Sequence, residues 1–300
     1  MKVINLRIYQ LRKLKELVLE KGTLNTEALM LILNKNQAKS ATEGKMLFKY
    51  LDAQDDEKIM GRKIYTLNLL NASKGYKEMK ELIIPDTIVI VDNKIAGFAL
   101  PLIENHINLG IFLNKPDNDF QKKLAYLQQV GMIINKVIHV KEESFQMNFG
   151  DLNEFNFIID KTDMVRAIDL DSAYIGQDEP SNTAYYLLKN KYLSSFPDKY
   201  RKNRTGIVIP SNETDLYCYN MILLNTISGE SMYKKDLDIF YKYLSYLQDV
   251  GLDKELIKIF SSLYLPIPNQ NPFSLVKTIP LSLKKEITYQ HFKKEYKIKE

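Results

Sequence analysis

Asp151, Asn156, Asp169 and Asp171 fall in one stretch, Phe149–Ser172, whose sequence is FGDLNEFNFIIDKTDMVRAIDLDS. Two carboxylates and a carboxamide brought together are hard oxygen ligands, of the kind that hold Mg²⁺ against phosphates. The spacing supplies a way to bring them together. Two short apolar runs, Phe155–Ile159 and Met164–Ile168, are joined by the turn-like Asp160-Lys161-Thr162-Asp163, which predicts a β-hairpin. Antiparallel pairing returns the chain to its start. Asp151 and Asn156 at the entrance therefore converge with Asp169, just past the second strand. Any one of these residues alone is equally an ordinary turn former; it is the spaced set that points to chemistry.

The remaining elements read as the means to carry that hairpin. Residues 1–20 alternate apolar and basic residues without a decisive period. Ala28–Leu33 and Met46–Leu51 read as strands separated by the polar, turn-prone segment Asn34–Gly44. Asp55–Leu70 sets Ile59, Ile64, Leu67 and Leu70 near helical spacing behind an acidic start, Asp55-Asp56. Thr87–Val91 and Ile95–Leu100, joined by Asp92-Asn93-Lys94, predict a second hairpin. The expectation is a small, mostly antiparallel sheet crossed by one helix and ending near Leu102, with Pro101–Leu113 as a connector. Asp119–His139 carries Phe120, Leu124, Leu127, Ile133, Ile134, Val137 and Ile138, a long amphipathic helix. Beyond the central hairpin come an aromatic-rich polar stretch, Tyr174–Pro210, and a nearly continuous apolar helix, Leu216–Ile227, opened by Asp215. Such a helix is buried on most sides. Lys235–Val250 and Asp253–Tyr264 predict two more helices, then the Pro-punctuated Pro266–Pro272 and a short helix from Phe273. The fold class expected is α+β, with a sheet followed by a mostly helical part that carries the hairpin.

In that setting Gly150-Asp151-Leu152, followed three residues later by Asn156, resembles the catalytic loop of protein kinases, and Asp169-Leu170-Asp171 resembles their Asp-Phe-Gly motif. The order of elements from about Met46 to Val276 is similar to the bilobal kinase fold, in its atypical bacterial- or phage-type Ser/Thr branch. The resemblance implies an N-lobe over residues 1–102 and a C-lobe over 103–300, together one domain. It implies ATP and Mg²⁺, with Asp151 orienting and deprotonating an acceptor hydroxyl and Asn156 and Asp169 holding metal. Lys49 in MLFKYL would serve the nucleotide phosphates, with Lys45 as the alternative on the same strand face, and Glu57 would be its helix partner. Adenine would rest against the connector at Leu100, Leu102 and Glu104. Thr214-Asp215-Leu216-Tyr217 resembles the family's aspartate that hydrogen-bonds the catalytic-loop backbone, although an N-cap is equally favoured there. The chain departs from the pattern in three places. No Gly-x-Gly-x-x-Gly precedes Ala28, where Gly22 is the sole candidate for a phosphate-covering loop; Phe149-Gly150 stands in place of His-Arg; and no Ala-Pro-Glu closes the later segment, Ile209-Pro210 being the nearest echo. Without that arginine, control by loop phosphorylation lacks its usual charge partner.

Composition narrows the remaining classes. A formal net charge of +5 over 300 residues is modest and rests on dispersed lysines, whereas nucleic-acid binding concentrates Arg and Lys in patches. The densest basic stretch, Lys284–Lys299, is interrupted by Glu286 and Glu295 and reads as a surface helix or tail. A single cysteine, Cys218, excludes an intrachain disulfide, and His106, His139 and His291 are too scattered for a zinc site. No apolar run reaches membrane-spanning length and the N-terminus lacks a signal-peptide pattern, so a cytoplasmic protein is expected. Three readings follow. One is an active protein kinase acting on Ser or Thr of a protein substrate. The others are a small-molecule phosphotransferase resembling the aminoglycoside and choline kinases, and a nucleotide-binding pseudokinase that regulates a partner. Keeping Asp151, Asn156 and Asp169 together favours catalysis.

Overall fold

The computed structural model describes residues 1–16, 28–33, 46–51, 57–140, 144–176 and 179–298. Its first part is β1 (Lys2–Leu6), α1 (Ile8–Leu11), β2 (Lys15–Glu16), β3 (Ala28–Leu33), β4 (Met46–Leu51), α2 (Glu57–Ala72), α3 (Lys74–Glu78), β5 (Thr87–Val91) and β6 (Lys94–Pro101). The strands form one sheet in the order β1-β5-β6-β4-β3-β2. Asp92 and Asn93 both take positive φ, 46° and 67°, the conformation of a tight two-residue hairpin between β5 and β6.

The sheet is mostly antiparallel, as expected, but mixed: four of its five pairings are antiparallel, and β1 lies parallel to β5 along its edge. The five residues KVINL bury Ile4 and Leu6 and expose Val3. That period of two is genuine but too short to stand out from the basic residues that follow it, and β1's partner lies some eighty residues away. The acidic residues Asp55 and Asp56, like Lys45, Gly22 and the segment Asn34–Gly44, lie outside the described residues.

The second part is mostly helical: β7 (Ile107–Asn108), α4 (Leu109–Asn114), α5 (Phe120–Ile138), β8 (Phe157–Ile159), β9 (Val165–Ala167), α6 (Tyr185–Leu188), α7 (Asn212–Ser228), α8 (Leu237–Asp249), α9 (Lys254–Ser262) and α10 (Tyr289–Glu295). The connector from the sheet is shorter than Pro101–Leu113. Ile107 and Asn108 pair with Ile159 and Ile158, and Asn108 then caps α4 by accepting from the Ile111 N–H. Asp119 caps α5, as its place before the apolar stripe predicts. Ser211, and not Asp215, caps α7 through a reciprocal bond with Thr214. Asp215 is thereby released for another partner. α7 is buried almost all round, with Tyr217, Tyr219, Met221, Leu223 and Leu224 fully enclosed, and each such side chain stabilises by about 1.5–3 kcal/mol. It packs on α5, and the two share one continuous core with the β8–β9 hairpin. The C-terminal basic stretch is no simple surface helix, since Tyr289 and Phe292 of α10 are buried against Tyr243. No helix among the described residues is long and apolar enough to cross a membrane.

Candidate active site

The hairpin β8–β9 pairs Phe157 with Ala167 and Ile159 with Val165. Its turn is built by Asp160, whose carboxylate accepts from the Thr162 N–H at 2.8 Å and from Arg166 Nε at 2.6 Å. These donors hold the Asp160 pKa below the ordinary carboxylate range although burial works against it. Helix α5 grips the hairpin from behind. Tyr126 Oη donates to Asp163 at 2.7 Å, and Gln129 Oε1 accepts from the Val165 N–H at 2.9 Å. The open end of the hairpin is closed by the Ile168 N–H donating to the Asn156 carbonyl at 2.9 Å. Asn156 and Asp169 are thereby brought to one place, as the spacing predicts.

The loop before β8 crosses directly over the loop after β9. Asn148 and Tyr174 exchange two backbone hydrogen bonds, 2.9 and 2.8 Å. Gly150 sits between them at φ +72°, and a Cβ on it would stand 2.6 Å from the Ser172 carbonyl oxygen. Both the positive φ and the lack of room require glycine, which gives the Phe149-Gly150 departure a physical reason. Asp215 reaches in from the first turn of α7 and accepts from the Phe149 N–H at 2.9 Å. Burial, against these backbone donors, pushes its carboxyl up to about 7. Tyr186 Oη donates to Glu154 at 2.6 Å and ties the middle of the same loop to α6.

Asp151 projects from this braced loop. Asn182 Nδ2 donates to its Oδ2 at 2.8 Å and Asn153 Nδ2 to its Oδ1 at 3.1 Å, so both oxygens are fixed. Asn156 Nδ2 donates to the Asp151 carbonyl at 2.8 Å, which leaves the Asn156 carboxamide oxygen as the atom available to a cation. Burial, and then the negative charge of Asp169, raise the Asp151 pKa above its usual value. Asp169 itself adopts a left-handed conformation, φ 63° and ψ 30°, sparsely populated but tolerated by Asp.

The sheet delivers the cation. Phe48 is fully buried on one face of β4, so alternation turns Lys49 to the other. Lys49 is paired in register with Met30 and Phe98, and the neighbouring Gly97 leaves space for its backbone, a Cβ there standing 2.0 Å from the Lys49 carbonyl. The Lys49 ammonium forms an ion pair with Asp169 and stands 3.0 Å from Asp171. Burial pulls its pKa down, but Asp169 and Asp171 outweigh that and hold it above the ordinary lysine value.

The expected partner Glu57 is not at Lys49. It lies exposed in the first turn of α2, two turns short of the loop. The residue that α2 brings to the cluster is a second lysine, Lys63, which is 3% exposed with its Nζ 3.2 Å from Asp171. Asp171 is 0% exposed and lies between two ammonium groups, which hold its pKa below the usual carboxylate range against the effect of burial. Arg62 bonds Glu179 at 3.0 Å and Thr66 donates to the Ala173 carbonyl at 3.2 Å, so one face of α2 is bound to the loop after Asp169.

Lys63, Asn153 and Asn182 were not among the expected site residues. Lys63 carries a readable signal, for it interrupts the stripe Ile59, Leu67, Leu70 that α2 turns inward. Asn182 carries none, since it lies in an irregular loop. The residues expected to face adenine lie where β6 runs out: Leu100 is buried, Leu102 is half-buried and Glu104 is exposed beyond the strand. His106 Nδ1 lies 2.6 Å from the Ile103 carbonyl in the same turn. A cavity of about 440 Å³ opens between α6 and the segment Lys202–Val208. Thr183, Lys189, Lys191 and Lys202 line it, and no carboxylate does. Comparison with protein-family models and with curated proteins finds no match for the chain.

Proposed function

We propose that this chain is an ATP- and Mg²⁺-dependent phosphotransferase of the protein-kinase-like type, with a bilobal fold, acting in the cytoplasm on a Ser or Thr hydroxyl of a protein. The observation that carries the reading is the ion pair of Lys49 with Asp169 across 120 residues of chain, with the Asp151 carboxylate close enough to feel Asp169. A cation, a metal-ligand carboxylate and a carboxylate of raised basicity then meet at the junction of sheet and helices. Phosphoryl transfer needs little beyond such positioned charges. The strand order around β4, the long α2 across the sheet and the bond from Asp215 to the loop of Asp151 are further support.

The donor set fits a hard divalent cation. The Asn156 carboxamide oxygen and the Asp169 carboxylate are two oxygen ligands, and Mg²⁺ characteristically keeps waters and substrate phosphates for the rest of its shell. When bound, it supplies neutralisation of the phosphate oxygens. Lys49 would bind the non-transferred phosphates, and Asp169 with Asn156 would hold the cation. Asp151 accepts the hydroxyl proton of the acceptor as its oxygen bonds to the γ-phosphorus. The bond from that phosphorus to the β,γ-bridging oxygen breaks, and ADP leaves with the electron pair. Asn153 and Asn182 hold the Asp151 carboxylate still while this happens.

The test is incubation with γ-labelled ATP and Mg²⁺, with and without a mixed protein acceptor such as casein. Label in protein Ser or Thr that disappears in Asp151→Asn is the result expected. Label transferred solely to an aminoglycoside or choline would replace the protein acceptor with a small molecule. Nucleotide binding with no transfer at all would leave a regulatory nucleotide-binding module.

A further inference from the structure

Asp171 lies buried between two ammonium groups, Lys49 and Lys63, at 3.0 and 3.2 Å, and Lys49 is ion-paired with Asp169 as well. Burying a lysine is expensive unless it is paired, and Asp171 already has Lys49. Lys49 is shared with Asp169, so Lys63 balances the pair of carboxylates as the site stands and leaves an excess positive charge once Asp169 is committed to a metal ion. We infer that Lys63 is a positioning residue for phosphate binding that acts through Asp171: Asp171 fixes where the Lys49 ammonium stands, and Lys63 neutralises Asp171 so that Lys49 keeps its charge for an anion. The inference rests on the phosphotransfer reading of the site.

The charge count makes the argument. With Asp169 committed to a metal ion, Lys49 and Asp171 alone are a neutral pair with little attraction for a phosphate. Lys63 brings the cluster to a net +1. Asp171 is fully enclosed and stays in place to hold Lys49 once Asp169 is committed to the metal ion. The two acidic and basic partners thus divide one task. Asp171 governs geometry and Lys63 governs net charge, so their removal has different kinetic signatures.

The experiment is titration calorimetry of ATP with Mg²⁺, together with steady-state turnover, on wild type, Lys63→Met, Asp171→Asn and the double variant. Lys63→Met is expected to weaken ATP binding by at least about tenfold, the effect of a lost charge at short range. The double variant has net +1 again, so it is expected to bind ATP within about threefold of wild type, ~0.7 kcal/mol, while turning over slowly because Lys49 is no longer held. Lys63→Arg is expected to restore both. If Lys63→Met does not fold, the double variant, in which Lys49 keeps Asp169 as its partner in the free protein, carries the test alone: a folded double variant that fails to bind ATP overturns the inference. So does Lys63→Met binding as wild type does. Failure of wild type to bind ATP has a different signature, and it removes the phosphotransfer reading and this inference together.

Discussion

Asp151 and Asp171 are carboxylates of one site whose surroundings drive them in opposite directions. Burial and Asp169 raise Asp151; Lys49 and Lys63 hold Asp171 low in spite of burial. Pairs of titratable groups separated in this way mark the division between a proton acceptor and a permanently charged group. In the proposed reaction Asp151 must be ionised to accept a proton. Turnover is therefore expected to fall on the acid side through a pKa above the ordinary carboxylate value, read from the pH profile of kcat/KM. The Asn153 carboxamide favours the ionised form. Asn153→Ala is expected to move the acid limb to higher pH, and an unmoved limb would assign it to another group. At this scale the sequence was informative where spacing along one short stretch sufficed, as for Asp151, Asn156 and Asp169, and where a lysine sat among apolar strand residues, as for Lys49. The residue that α2 brings to the site was not legible. Whether Glu57 or Lys63 faces the loop depends on how α2 rotates over Ala173 and Glu179, a tertiary fact absent from any local pattern.

α7 shows how an element can both build the core and hold the site. Ser211 takes the capping role that local pattern offered to Asp215, and Asp215 is freed to accept from the Phe149 N–H. Its folded pKa of about 7 lies above the 3.8 of an ordinary aspartate. The native state therefore binds more protons than the unfolded state between those values, and this group's contribution to stability is greatest below about pH 4 and is lost as pH rises through 7. Asp215→Asn keeps an acceptor for Phe149 and removes the titration, so the variant gains relative to wild type as pH rises from 4.5 to 7.5, by on the order of 4 kcal/mol at most. Chemical denaturation at the two pH values measures it, and the difference between the two proteins cancels the same-direction contributions of Asp151 and Glu154. Gly150 makes the complementary case. Gly150→Ala forces a side chain into positive φ against the Ser172 carbonyl and is expected to destabilise by roughly 2 kcal/mol or more, which the same denaturation curves report.

The molecule joins a mixed sheet to a helical body through the turn around Ile103, and the site lies where the two meet. Lys49 and Lys63 come from the sheet part, Asp151, Asp169 and Asp171 from the helical part, and the ion pairs between them bridge the junction. Most of this architecture was legible because its elements are long and periodic: α5, α7, α8 and α9 and the β5–β6 hairpin stand within a few residues of the boundaries that apolar spacing gives. β1 was not legible, and neither was the short β7 that ends the connector early. In each case the strand exists because a distant partner pairs with it, and two to five residues carry too little pattern to announce that. The central claim is that the two ends of the β8–β9 hairpin do different work, Asp169 on the metal side and Asp151 on the acceptor side. A ligand that binds the native state alone raises the melting temperature by mass action, which makes the shift with Mg²⁺-ATP the most direct test. Wild type and Asp151→Asn are both expected to show that shift, with turnover of Asp151→Asn lower by roughly 10²–10⁴-fold. Asp169→Asn is expected to lose its Mg²⁺-dependent part. Equal loss of the shift in both variants, or its equal retention, would contradict the account.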